Sequence, residues 1–136
     1  MSRSTDYISN TMSLREPLKL SLELLDSLVV NANLLQKVNI EAIKKDCPLF
    51  EEFERNFPSV CFSIATGIGK TRLMGAFVAY LVREKGIRNF FILSPNITIY
   101  EKLKDDFGNK GAEKYVFKGL TDISNHAVII TGEDYE

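Results

Sequence analysis

With 136 residues, 45% of them apolar and 26% charged, the chain is long enough for one domain with a core and too apolar to remain disordered. Its 17 basic and 18 acidic residues leave a net charge of −1, which excludes a global basic footprint and confines any nucleic-acid contact to local groups. No apolar run approaches the roughly 18–20 residues of a membrane span, and the opening "MSRSTDYISN" lacks a signal-peptide core.

In chain order, residues 1–12 read as a polar, irregular, flexible lead-in. A helix is expected from Pro17, which suits a first turn because its missing N–H is not needed there. Leu18, Leu22, Leu25 and Val29 then form the apolar stripe of that helix, and Asn31 and Asn33 loosen it. A second helical stretch is expected from about Leu34 to Asp46, before Pro48. A third runs through "LFEEFERNF", with Phe50, Phe53 and Phe57 on one face, and closes at Pro58. At helical spacing these three rings read as core rather than as a platform for stacking bases.

"SVCFSI" at 59–64 and "NFFILS" at 89–94 are short apolar runs bounded by Pro and Gly, the pattern of buried strands. Between them residues 70–85 are helical, with Leu73, Met74, Phe77, Tyr80 and Leu81 on one face and Gly86 as the stop. After the turn at Pro95 and Asn96, "TIYE" has capping-box spacing, Thr98 as N-cap with Glu101 reaching back, and opens a helix to about Phe107. "KYVF" at 114–117 and "HAVIIT" at 126–131 complete the set of expected strands. Alternation of apolar strands with helices argues for an α/β fold, a mostly parallel sheet covered by helices.

The chemistry centres on "FSIATGIGKTRLMGA", residues 62–76. An expected strand, a glycine turn and a helix opening on Lys-Thr form a phosphate cradle. The glycines let successive N–H groups point inward, and the helix N-terminus adds its partial positive charge. Lys70 would reach the β- and γ-phosphates of ATP, and the Thr71 hydroxyl would ligate Mg²⁺. The strict G-x-x-x-x-G-K-[ST] pattern is not met, because position 64 is Ile; the shorter A-T-G-x-G-K-T at 65–71 is. Thr66, Gly67, Ile68, Gly69, Lys70, Thr71 and Arg72 are therefore the expected ATP-binding residues.

"ATGIGKT" resembles motif I of the superfamily-two helicases and translocases, and "FFILSPNITIYEKLKDDF" at 90–107 resembles their motif Ia. Together with "LREPLKLSLELL", these stretches are similar to the start of the type III restriction enzyme Res subunit and related DEAD/DEAH-type proteins, across residues 13 to 136. The resemblance implies ATP-driven movement on duplex DNA through two RecA-like domains, with modification or nuclease subunits as possible partners. It also implies that Pro95, Asn96 and Thr98 lie against a nucleic-acid backbone. The first N–H groups of a helix capped by Thr98 could accept a phosphate there.

Two departures bear on that inference. Where family members read Arg-x-Pro-Gln, with the glutamine recognising adenine, this chain reads Arg15-Glu16-Pro17-Leu18. Arg15, Pro17 and Leu18 fall on the adenine side, but leucine cannot make the paired hydrogen bond. The sequence also reaches "TGEDYE" with no Asp-Glu-x-x box and no second domain with its arginine finger. Glu133 and Asp134 read as a solvated turn rather than a displaced metal site.

The expected layout is a lead-in at 1–12, a helical segment at 13–58, and a partial RecA-like ATP-binding domain at 59–136. The expected function is the ATP-binding part of a DNA translocase, a truncated chain or fragment unable to hydrolyse ATP efficiently alone. A stand-alone nucleotide-binding or interaction module that pairs with a separate, complementing chain is the alternative. Cys47 and Cys61 have neither metal nor redox spacing, which points to a reduced, cytoplasmic protein. Cys61 reads as a buried strand residue, and His126, the single histidine, as a strand-edge or turn residue.

Overall fold

The computed structural model describes residues 2–134, the side chain of Glu133 apart. Among them lie six α-helices, one 3-10 turn and no strand. The expected α/β architecture, with a mostly parallel RecA-like sheet, is thereby corrected to an all-helical one.

The first helix, α1 (Arg3–Thr11), occupies the stretch expected to be an irregular lead-in. Ser2 caps it by accepting the Thr5 N–H at 3.3 Å, and Asp6 in the first turn complements the helix dipole. Its buried side is small, Thr5, Ile8 and Ser9, which is why hydropathy alone passes over it.

α2 (Glu16–Val30) starts with a proline in its first turn and buries the expected Leu18, Leu22, Leu25 and Val29, with Leu28 beside them. The next helix, α3 (Ile40–Asp46), is shorter than expected. Asn39 caps it through the Ala42 N–H at 3.1 Å, while residues 31–39 run without helix. The helix expected through "LFEEFERNF" is absent. Phe50 and Phe53 pack edge to face at 5.0 Å, but Phe57 is 62% exposed, so no common face forms. A nine-residue stretch between Pro48 and Pro58, carrying Glu51, Glu52 and Glu54, is too short and too acidic to hold a helix unaided.

α4 (Lys70–Lys85) falls where the sequence places it and ends at Gly86, whose left-handed backbone returns its N–H to Leu81 and Val82. It is the hub of the molecule, packing against α1, α2 and α5 (Ile97–Gly108). Tyr80 is fully buried on it, and its hydroxyl donates to Asp26 of α2 at 2.6 Å. Burial and that carboxylate together hold the phenol protonated far above the ordinary tyrosine range. Arg83, in the last turn, lies 4.2 Å over the Tyr7 ring and pairs with Asp122 of α6 (Thr121–Ser124), tying three helices together.

None of the four expected strands forms a ladder. Residues 59–64, 89–94 and 126–131 have no regular structure, with Phe91 88% and Val128 78% exposed. Cys61 is likewise exposed rather than buried. Within "KYVF" Lys114 is exposed and the rest is buried, but as a turn: Tyr115, Val116 and Phe117 fold into the core, and the Val116 N–H bonds to the Asp106 carbonyl at 2.9 Å. The physical reason is that a strand pattern records only local readiness to extend. A ladder requires neighbours that bond its backbone groups, and the core here is closed by helix on helix.

Candidate functional site

The glycine turn keeps the geometry its residues imply. Gly67 has φ +81° and Gly69 φ +114°, both in the region that favours glycine. Gly69 is the N-cap of α4 and no side chain caps that end; the first backbone bond of the helix runs from the Leu73 N–H to the Gly69 carbonyl at 3.0 Å. The amides ahead of Leu73 are thus open to a ligand carrying negative charge. Leu18 braces the turn from below, with Cδ1 at 3.3 Å from where a Cβ on residue 69 would stand.

Around this turn lies an open cavity of about 710 Å³. One side consists of Thr66, Gly67, Ile68, Gly69, Lys70, Thr71 and Arg72, the whole expected phosphate set. Ser13, Arg15 and Leu18 add a second side. Ser13, at φ +48°, turns the chain from α1 towards α2 and so brings two of the three adenine-side residues to the cavity. Pro17, the third, is exposed and does not line it.

The third side was not foreseen from the sequence. Ile99, Lys102, Leu103 and Asp106 reach the cavity from α5, and Lys114 and Val116 from the turn beyond it. Positions 99, 102, 103 and 106 follow helical spacing, so a common face was legible in principle. Which way that face points depends on the packing of α5 on α4. The cavity carries Arg15, Lys70, Arg72, Lys102 and Lys114 against one carboxylate, Asp106, a field suited to a polyanion.

The expected nucleic-acid residues lie elsewhere. Pro95, Asn96 and Thr98 are exposed at the start of α5, outside the cavity. Thr98 is not the cap. Asn96 is, accepting the Ile99 N–H at 3.0 Å, so the helix begins two residues earlier and one of its first donors is already satisfied. Asn outcompetes the Thr98–Glu101 box because its side chain meets the N3 amide directly, while the Ser94 hydroxyl holds the Asn96 carbonyl at 3.0 Å.

On the far side of α5, Glu101, Lys104, Asp105 and Asp134 border a separate cavity of about 510 Å³. Asp134 closes a 3-10 turn (Gly132–Asp134) by accepting both the Thr131 hydroxyl and the Thr131 N–H at 2.7 Å. The two bonds hold its carboxyl below the ordinary carboxylate range. Asp134 therefore acts as a local capping group; the Glu133 side chain and the last two residues of "TGEDYE" lie outside the described residues. His126 is exposed in the turn after α6.

Among the described residues no group of three or more His, Cys, Asp and Glu side chains could hold a metal ion by itself. The cavity instead presents the side-chain oxygens of Ser13, Thr66, Thr71 and Asp106 beside open helix amides. Such a donor set fits a Mg²⁺ that arrives with phosphate oxygens rather than one caged by protein.

The family model described as "Type III restriction enzyme, res subunit" matches residues 31–134. The chain belongs to that family. It is a family of DEAD/DEAH helicase-type N-terminal domains, and the match takes in the glycine turn, α4, α5 and the turn at 114–117. Neither a curated protein nor a solved structure matches the chain. No helix among the described residues is long and apolar enough to cross a membrane.

Proposed function

We propose that this Res-family chain is the ATP-binding part of a DNA-dependent ATPase, with the cavity at the glycine turn as the nucleotide site. The observation that carries the reading is the convergence of Gly67, Gly69, Lys70 and Thr71 with an uncapped helix N-terminus on a cavity lined by five cations. In this reading the open amides of α4 and the Lys70 ammonium hold the phosphates, and Thr71 contributes a metal ligand. Mg²⁺ would neutralise phosphate charge there. Arg15 and Leu18 border the base. Leu18 offers apolar contact and no hydrogen bond, so discrimination between purines is expected to be weak.

The membership of the Res family supports duplex DNA as the polymer and restriction-modification subunits as partners. Pro95, Asn96 and Thr98 are the proposed contacts to the DNA backbone, a residual role compatible with their exposure. A cytoplasmic location follows the same reading. Hydrolysis in this reading also requires an acidic box and an arginine supplied in trans, the latter worth roughly 10³–10⁵ in rate.

A second reading, a nucleotide-binding module that pairs with a complementing chain, is favoured by the exposed apolar runs at 89–94 and 126–131. Both readings share the nucleotide site. Calorimetric titration with ATP and Mg²⁺ tests it. Lys70→Ala removes the charge-assisted contact and is expected to weaken binding by about 2–4 kcal/mol. Equal affinity of the variant and the native chain would refute the site.

A further inference from the structure

We propose that Leu18 is a positioning residue for the phosphate turn, packed beneath Gly69 so that the amides opening α4 stay aimed at a polyphosphate. The inference rests on the nucleotide reading of the site and goes beyond it, because it places the main role of Leu18 at the phosphates rather than at the base.

Leu18 is 1% exposed, yet it stands outside the main hydrophobic cluster to which Leu22, Leu25, Leu28 and Val29 of the same helix belong. Its burial comes from the site instead. Leu18 Cδ1 lies 3.3 Å from where a Cβ on residue 69 would stand, nearer than the Arg72 Cβ at 3.8 Å. Little of the side chain is left for a base to touch. Its backbone is fixed as well: the Leu18 N–H donates to the Arg15 carbonyl at 2.9 Å, and the rest of α2 is anchored in the core and packed on α4.

The turn needs such a support. Gly67 and Gly69 are its most mobile residues, since they lack the Cβ that narrows a backbone's choices. Residues 63–68 make no main-chain hydrogen bond among the described residues. At Gly67 a Cβ would meet nothing within 4 Å, so the outer part of the turn is unsupported. Gly69 is the point where the turn meets protein from another helix, and the residue it meets is Leu18. A loop that is already held loses less freedom when a ligand orders it, and binds more tightly for that reason. Removing Cδ1 opens space under Gly69, lets the turn sag away from the ligand, and weakens every phosphate contact at once.

The test is calorimetric titration of the full chain, in Mg²⁺, with ATP and with inorganic tripolyphosphate. The variants are Leu18→Ala, Leu18→Met and Val29→Ala. Leu18→Ala should weaken ATP and tripolyphosphate by the same factor, roughly tenfold, the scale of ordering one released stretch of loop. Leu18→Met, close in volume, should stay near native affinity for both. Val29→Ala loosens α2 from within the core and away from the cavity, and should leave both affinities unchanged.

A loss confined to ATP in Leu18→Ala overturns the proposal, because it would place Leu18 at the base. Unchanged binding of both ligands overturns it while leaving the nucleotide site standing. So does a native chain that binds ATP but not tripolyphosphate. An equal loss in Val29→Ala, or a Leu18→Met as weak as Leu18→Ala, overturns it by marking a general effect of loosening the fold. Absence of native binding to either ligand removes the site and the proposal together. Should Leu18→Ala lose its helical circular dichroism, Leu18→Val, which removes Cδ1 and keeps a buried apolar side chain, takes its place with the same outcomes.

Discussion

Single positions govern the cavity through contacts of a few ångströms. Gly75 lies in the interior of α4, where glycine costs about 1 kcal/mol relative to alanine. The reason for it is Val116. A Cβ on residue 75 would stand 2.7 Å from the Val116 Cβ, closer than side chains approach. Gly75→Ala is therefore expected to lose about 1–3 kcal/mol through overpacking despite its better helix propensity. Val116→Gly, which removes the opposing Cβ, should cost less in the Gly75→Ala background than in the native chain, a coupling that urea unfolding of the single and double variants would measure. A more stable Gly75→Ala protein would contradict the contact. Val116 also lines the cavity, so the same overpacking pushes on the nucleotide site. Gly69 differs in kind: its φ of +114° is strained for any side chain, whatever the room.

At the scale of elements, α5 decides how the two faces of the molecule are used. Its inner face brings Lys102 and Asp106 to the main cavity, and its outer face brings Glu101, Lys104 and Asp105 to the smaller one. The helix is set by Asn96, whose side chain accepts the Ile99 N–H. Asn96→Ala should cost about 1 kcal/mol, the usual loss for a removed cap, whereas Thr98→Ala should stay within a few tenths. Hydrogen exchange at the Ile99 amide would report the difference directly. Equal protection losses in both variants would place the cap at neither residue. α4 is secured separately, by the buried Tyr80–Asp26 bond and by the Arg83–Asp122 pair. The motif helix is thus held by both contacts, while α5 packs against it and against the turn at 115–117.

Across the whole molecule, the core and the apolar sequence do not coincide. Phe91, Leu93, Val128 and Ile130 are 88%, 77%, 78% and 73% exposed, in two runs that the helical core does not cover. Exposed apolar surface in such quantity is rarely tolerated by a soluble monomer. The chain is expected to self-associate as its concentration rises, and Phe91→Lys with Val128→Lys should shift it towards monomer. Sedimentation velocity across a concentration series would show this; a native chain that stays monodisperse throughout would rule it out. Neither substituted position lines the nucleotide cavity, so ATP affinity should be unchanged in the double variant.

The sequence by itself determined what depends on neighbours in the chain. The stripe of Leu18, Leu22, Leu25 and Val29 fixed α2, because a 3.6-residue period needs only that sequence to be seen. Gly67, Gly69, Lys70 and Thr71 gave the turn and the start of α4, and together with the stretches at 14–25 and 90–107 they carry the Res-family resemblance. Tertiary structure decided what depends on residues far apart. α1 forms although its buried side is only Thr5, Ile8 and Ser9, because α2 and α4 are there to cover it. The runs at 59–64, 89–94 and 126–131 carry a strand pattern without a ladder, since pairing is a property of two segments and not of one. Lys102, Asp106 and Lys114 joined the cavity only when α5 packed on α4, and no local pattern orients a helix face in space.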